Sequence, residues 1–399
     1  MSGINWKYTG MTFLVALGVA SFAAIAGYMT LEPYFERKVM ESSALHIEER
    51  ANRQRALFAD VQSIEFATGR GFSRRLAALE GVDVSAEFDW LFPEFGDGTR
   101  RSRPELFDGY RAADGDFVHG VGAFISDVDV SPERQRQLVA AYHTVRQHGE
   151  AISGYFDNLN FVTPNNDLII FAPAREDRLE FYRRDAPPDF DLQSEDLAQI
   201  VSPVNNPLGL TRCTPLSRLM YVREGVALTT GCHFPVRYTG QHLGAFGITI
   251  SMQNYLANAI VDAEPNSENL ILTREGDLIA HRDLLFLDVL TPAAVAESGR
   301  AAGAAVLSEV IRRDGRASGV TQTGDGRIVA FARLETPGWY FVITRPAWLI
   351  HSRASGVAAM IFVFSFFGVF TQAVVLSFFR WMKRRRRVAS SGSGGLVQA

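Results

Sequence analysis

The sequence predicts an α+β protein: two units, each a curved antiparallel sheet with helices beside it, held between two apolar helices. Three observations predict it. Apolar stretches at residues 9–31 and 354–379 are each long enough to cross a hydrocarbon core of roughly 30 Å as a helix. The first continues without a break into a charged helical pattern. Between that pattern and the second stretch, a hairpin, helices and further antiparallel strands occur twice.

The two apolar stretches differ in their flanks. Arg380, Lys383 and Arg384 to Arg387 follow the second at once, whereas Glu32, Glu36, Arg37 and Lys38 follow the first with mixed sign. Positive charge stays on the cytoplasmic side, so the C-terminus is expected inside. Two spans then place residues 1–8 inside as well, and the large middle segment outside an inner membrane. The rival reading of the first stretch is a cleaved signal peptide, with Lys7 as its charged end and Ala24-Ile25-Ala26 as its small-residue site. The apolar run continues past that site, and cleavage would not move the middle segment.

With 399 residues and 47% hydrophobic content, the chain can supply two spans and two exported domains. Its formal net charge is -4, and much of the positive charge sits in the tail, so the middle segment is more acidic still. That argues against nucleic acid as a partner. The two cysteines, Cys213 and Cys232, both fall in the exported segment, where a disulfide and two separate buried thiols are the competing readings. A metal site from Cys213, Cys232 and His233 lacks CxxC or HxxxH spacing, so no metal and no cofactor is expected.

Along the chain, residues 32–80 read as a stalk helix. Ala44, Ile47, Ala51, Phe58 and Val61 form a stripe in steps of three and four, broken at Gln54, which suits pairing with a twin or packing on its own domain. In the span before it, Ala16, Ala20, Ala24 and Ala23, Gly27 have the spacing that permits close helix approach, and Ala as ordinary membrane filler reads equally well. Residues 80 to about 138 are expected to be irregular, with Pro93, Gly96, Gly98 and Pro104 as turn signals. A helix is expected from Pro132 to about Phe156. Asn158 to Val162 and Leu168 to Ala172 then flank the turn Thr163-Pro164-Asn165-Asn166-Asp167, whose Asn and Asp residues tolerate left-handed backbone. Two long strands, Val226 to Arg237 and His242 to Ile250, meet at Thr239-Gly240, and a helix over residues 252–261 closes the first unit.

The second unit is shorter. Leu270 to Thr273 and Leu278 to His281 form its hairpin, and one Ala-rich helix is expected from Pro292 to Arg312. Strands Gly319 to Gln322, Arg327 to Ala332 and Trp339 to Thr344 complete it. The expected boundaries are 81–265 for the membrane-distal domain, 266–350 for the membrane-proximal one and 380–399 for a basic tail and linker.

This order of parts resembles the double-Cache family, the tandem PDC or PAS-like sensor domains of bacterial receptors. The resemblance covers about residues 8 to 380. It rests on the membrane helix running into a stalk, on the late distal strands, and on the proximal unit from Leu270 through Thr336-Pro337-Gly338-Trp339 to the second span. Phe161-Val162-Thr163-Pro164, Ile170-Phe171-Ala172-Pro173, Phe181-Tyr182-Arg183-Arg184 and Cys213-Thr214-Pro215-Leu216 are similar to the sensor portion of certain alphaproteobacterial sensor histidine kinases. No phosphoacceptor His motif, ATP-binding lobe, diguanylate cyclase signature or methyl-accepting coiled coil follows the basic block. The resemblance implies a small-molecule ligand in the distal unit, a homodimer, and a cytoplasmic output domain or protein.

No GxSxG elbow, Walker loop, HExxH or complete GxGxxG occurs, so no catalytic residue is assigned. Arg175, Arg178, Tyr182, Arg183, Arg184 and Asp185 are the densest polar and aromatic group of the distal unit. An arginine fork can grip a carboxylate, and a tyrosine can wall a ligand; charges after a hairpin more commonly line an exposed loop. The amino-acid-binding branch of the family joins Arg, an aromatic pair and Asp at tighter spacing than Arg178, Phe181 and Tyr182 offer. Thr230 and His233 are expected to face the pocket, or Thr229 and Cys232 if the strand phase slips by one. If His233 touches ligand, affinity should change between about pH 5 and 8. The expected function is the extracytoplasmic input module of a two-component sensor kinase binding an anionic or zwitterionic solute. The alternatives are the sensor of a diguanylate cyclase or chemoreceptor, and an anchored periplasmic scaffold or enzyme.

Overall fold

The computed structural model describes residues 6–112, 115–214, 217–218, 228–251, 255, 259–260, 265–287 and 291–391. Several expected features lie outside the described residues: Val226-Ala227, Pro215-Leu216, most of the helix over 252–261, and the Gly-rich end of the tail. The chain divides into two compact units, one of Met1–Leu45, Gly324–Ile328 and Arg345–Ala399, the other of His46–Thr323 and Val329–Thr344.

Helix α1 (Trp6–Ala78) is unbroken. Within the first unit its N-terminal part packs on the C-terminal helix, and the small residues make this possible. Ala16 and Ala20 are fully buried, and a Cβ at Gly27 would lie 2.7 Å from Ile361 Cδ1. Phe13 meets Phe366 edge to face at 5.4 Å. Both helices are long and apolar enough to cross a membrane.

In the second unit the stalk part of α1 buries Ile47, Ala51, Gln54, Phe58, Val61, Glu65, Thr68 and Phe72. The sequence stripe is therefore continuous once its polar members are counted, and it packs on its own domain. Phe58 packs edge to face with Tyr255 and Trp339 at 5.9 and 5.8 Å. After α2 (Ser85–Leu91), the region expected to be irregular carries β1 (Arg100–Arg101), α3 (Pro104–Asp108), a small ribbon of β2 (Tyr110–Arg111) and β3 (Phe117–Val118), and β4 (Val121–Ile125). β4 is buried on both faces, so it lacks the polar alternation that marks a strand in sequence.

α4 (Pro132–Ile152) starts at Ser131, whose hydroxyl accepts from Arg134 N. β5 (Asn158–Val162) and β6 (Leu168–Phe171) form the expected hairpin, with Asn166 left-handed at φ 64 and Thr163 N donating to Asp167 O at 3.0 Å. α5 (Asp196–Gln199), β7 (Arg212–Cys213) and β8 (Ser217–Arg218) lead to the long pair β9 (Leu228–Tyr238) and β10 (Gln241–Ser251). The sheet order is β1-β4-β6-β5-β10-β9-β7, with β8 also on β9. The register of β10 shifts between His242 and Gly244; Gly244 has φ 152, and a Cβ there would lie 2.2 Å from Val162 O, so only glycine fits that bulge.

The second sheet, β12-β11-β15-β14-β13, is built from β11 (Glu268–Leu272), β12 (Leu278–His281), β13 (Ser318–Gln322), β14 (Arg327–Leu334) and β15 (Trp339–Pro346). The single Ala-rich helix of the sequence reading is two helices, α6 (Pro292–Ala302) and α7 (Ala304–Asp314). Gly303 between them is left-handed at φ 71 and ends α6 as its cap. α8 (Trp348–Ser391) contains the second apolar stretch and continues through the basic block into the segment read as linker.

Candidate functional site

Strand alternation gives the large sheet two distinct faces. Phe161, Ile169, Phe171, Ala123, Phe246 and Val236 project to one side and join Phe72 of α1 and Leu138 and Tyr142 of α4 in one core. Phe124, Val162, Leu168, Ile170 and Ala245 project to the other, where Leu179, Tyr182, Ala186 and Leu192 of the segment after β6 cover them.

One row crosses the covered face from strand to strand. Gly122 pairs with Ile170, Ile170 with Asn160, Asn160 with Gly247, Gly247 with His233, and His233 with Arg212. Two glycines leave room for the imidazole. A Cβ at Gly247 would lie 2.2 Å from His233 Nε2 and 2.8 Å from Asn160 Oδ1, and one at Gly231 would lie 2.7 Å from His233 Cε1. His233 is 2% exposed and Asn160 7%. Asn160 Nδ2 donates to Asn158 Oδ1 at 3.0 Å. Asn160 Oδ1 meets no partner in hydrogen-bond geometry among the described residues, and the His233 ring has only the Gly231 carbonyl beside it, outside strict hydrogen-bond geometry.

Buried polar atoms are nearly always satisfied, and leaving one without a partner costs about 1–3 kcal/mol. Two of these atoms, His233 Nε2 and Asn160 Oδ1, lie beside Gly247, and Nδ1 lies toward Gly231. Burial pushes the His233 imidazole down to about 4, and the neighbouring Gly231 carbonyl offsets only part of that. At neutral pH the ring is uncharged, so it presents one N–H donor and one bare nitrogen acceptor, beside the Asn160 oxygen acceptor. Any pH effect of this ring on a ligand moves to around pH 4, below the window that an unburied histidine would give.

The other expected site residues are distributed differently. Thr230 and His233 do not share a face: three residues apart on a regular strand, they project oppositely. Thr230 Oγ1 donates to Thr214 O at 2.8 Å on the helix-backed side. Cys232 lies on that side too, joined to Cys213 across the β7–β9 pair with an S–S bond of 2.01 Å. The disulfide reading holds, and His233 points away from it.

The arginine group after β6 is spread out. Arg178 is at the surface, ion-paired with Asp108, and Arg184 is at the surface 3.3 Å from Glu180; Asp185 is exposed. Arg183 is buried, donating to Arg178 O at 3.0 Å and Pro104 O at 3.4 Å, with its guanidinium over the Phe107 ring at 5.0 Å. Its stem lies over Gly122, at the end of the row remote from His233. Tyr182 is buried against Phe181 and Phe190. Arg101 pins the same segment by donating to Tyr182 O at 3.3 Å and Ala186 O at 2.8 Å. Arg183 and Arg101 therefore hold the cover down. Sequence reasoning missed Asn158, Asn160, Gly231 and Gly247; the available signal was the pair of asparagines two apart in an otherwise apolar strand.

No protein-family model matches the chain, and no curated protein matches it. Among solved structures the chain is similar to the sensory domain of the Campylobacter jejuni chemoreceptor Tlp3 with isoleucine bound, at 9% identity over 81% of this chain and 98% of that one, with a TM-score of 0.47. It is similar to the ligand-binding domain of the Pseudomonas fluorescens chemoreceptor CtaA in complex with L-isoleucine, at 11% identity over 82% and 96%, TM-score 0.43. It is also similar to the periplasmic sensory domain of the Campylobacter jejuni chemoreceptor Tlp1, at 12% identity over 79% and 98%, TM-score 0.41.

Proposed function

We propose that this chain is the extracytoplasmic ligand-sensing input module of a transmembrane signalling receptor of the double-Cache type, with residues 81–265 as the domain that holds the ligand. The observation that carries the proposal is the approach of His233 Nε2 and Asn160 Oδ1, both buried and without a side-chain partner among the described residues, beside Gly247 on the covered face. Two acceptors and one donor, with no formal charge, suit a zwitterion or a polar neutral solute better than a dianion. An ammonium group can donate to the Asn160 oxygen, and a carboxylate can accept from the imidazole N–H.

Two helices long enough to span a bilayer, and the basic block at the end of the second, support an anchored protein with its middle segment outside an inner membrane. A ligand that binds one arrangement of cover and sheet more tightly shifts the population toward it, and a useful switch needs about 1–3 kcal/mol of difference. Helix α1 backs the other face of the same sheet and also carries the first apolar stretch, so a shift of that helix against the sheet is transmitted along one element. A dimer of such chains, coupled to a sensor kinase output domain, is the form of receptor we favour over a chemoreceptor or diguanylate cyclase.

The test uses the full chain in detergent, melted against amino acids, organic acids, purines and polyamines. A true ligand raises the melting temperature by mass action. His233→Gln and Asn160→Leu should remove that rise, and Arg184→Ala should leave it intact. Flat melting curves across the whole panel would point to a scaffold without a ligand.

A further inference from the structure

A concavity lies away from the covered face, between α1, the turn at Leu208-Gly209 and the outer end of β9. It encloses about 640 Å³, within the range of small-molecule sites. Its walls are the Phe66 and Phe234 rings, edge to face at 6.3 Å, with Leu208 beside them, and Phe66 and Leu208 are largely exposed. Gly69 forms part of the floor; a Cβ there would lie 3.1 Å from the Phe234 ring.

Arg70, Arg74 and Arg237 rim this apolar groove, and no acidic residue among the described ones lines it. The Arg70 guanidinium stands over the Phe66 ring at 4.9 Å, and Arg237 Nη2 donates to Pro207 O at 3.4 Å. None of the three forms an ion pair with a carboxylate among the described residues. The local field shows the same excess. Burial first, then the charges of Arg75 and Arg74, hold the His148 imidazole below its ordinary value.

We propose that this groove binds a small amphipathic anion, an aromatic or branched carboxylate whose ring or chain lies against Phe66, Phe234 and Leu208 while its head meets Arg74 and Arg237. Apolar walls with a few convergent cationic forks are the chemistry that recognises such a molecule. A second copy of the chain fits worse. In a two-fold contact the same patch meets itself, so three guanidinium groups would confront three more with no carboxylate to answer them. The site is independent of the covered face, and it acts directly on the stalk helix.

The experiment titrates the full chain in detergent with 4-(trifluoromethyl)benzoate, followed by fluorine NMR with empty micelles as the blank. Saturable binding is expected, weakened by about tenfold or more in the double variant R74Q/R237Q and retained in large part in R74K/R237K. The arginines are exposed, so these variants should fold as the parent does. The ring-only probe 4-(trifluoromethyl)benzyl alcohol should bind no better than to micelles. Equal binding by the double variant, or equal binding of the alcohol, would overturn the proposal. Loss of binding in His233→Gln with R74Q/R237Q unaffected would move the anion to the covered face and also overturn it. So would a self-association, seen by sedimentation, that R74Q/R237Q abolishes while the parent ignores the probe.

Discussion

The helix-backed face of the large sheet packs ring against ring, Phe72 on Phe161 at 5.1 Å and Phe161 on Phe246 at 4.7 Å, while the covered face of the same strands buries His233, Asn160 and Asn158. The two faces share every backbone hydrogen bond, so the difference lies in what the side chains are for. One face is packed mainly ring on ring. The other sets a histidine and two asparagines among glycines. Among the buried titratable groups, Glu65 from α1 lies on the helix side and His233 on the other.

The largest expected effect comes from Glu65. It is fully buried, its Oε2 accepts from Thr211 Oγ1 at 2.9 Å, and its Oε1 has no partner among the described residues. Burial pushes the carboxyl up from 4.5 to about 8, and the Thr211 hydroxyl offsets only part of this. The folded state therefore holds this proton more tightly than the unfolded one. The resulting penalty is absent below about pH 4.5, grows as pH rises, and is complete above about pH 8, on the order of 5 kcal/mol in full. Denaturant unfolding of the full chain at pH 6 and pH 9 should show the parent losing stability and Glu65→Gln losing much less. Parallel profiles would mean the carboxyl is solvated and the helix side is open to water.

Phe161→Ala tests that face directly. Removing a fully buried ring that touches two others should cost about 3–5 kcal/mol, at every pH. His233→Gln should do less, and its effect should depend on pH. With the folded imidazole at about 4 against 6.5, the unfolded chain takes up the proton first. Stability is then lost as pH falls from about 6.5 to about 4, by roughly 3 kcal/mol, and Gln should flatten that limb. If His233→Gln instead destabilises equally at pH 7 and pH 4, the ring is a packing element and the ligand reading of the covered face loses its support.

How much of this was legible depended on which force wrote the signal. The hairpin at Thr163 to Asp167 and the long β9–β10 pair were readable because turn chemistry and apolar runs are local. β4 was not, because a strand buried on both faces carries no alternation and sits among Gly and Pro turn signals. The break at Gly303 was hidden in an Ala-rich run whose composition favours helix on either side. The stalk stripe looked broken because Gln54 and Glu65 occupy buried positions that a hydrophobic pattern does not count. In the candidate site, His233 was named from sequence and its neighbours were not: Asn160 and Gly247 come beside it only through the β5–β10–β9 register, which is long-range. Density of charge pointed instead to the arginines after β6, where charge density and burial turn out to be separate properties.

Arg178 and Arg183 sharpen that last distinction with the smallest expected effect. Both belong to the same cluster and both approach Asp108, but Arg183 is buried and tied to two backbone carbonyls, whereas Arg178 is half exposed with φ 52. A surface ion pair contributes about 0–1 kcal/mol, and left-handed backbone costs a non-glycine residue about as much. Arg178→Gly loses the first and relieves the second, so its net change should be within about 1 kcal/mol of zero, read from the denaturant midpoint at constant slope. The melting-temperature rise with any ligand of the covered face should be untouched by it. A loss of that rise at unchanged stability would place the Arg178 guanidinium against the ligand and extend the site along the cover, from the His233 end of the row to the Gly122 end.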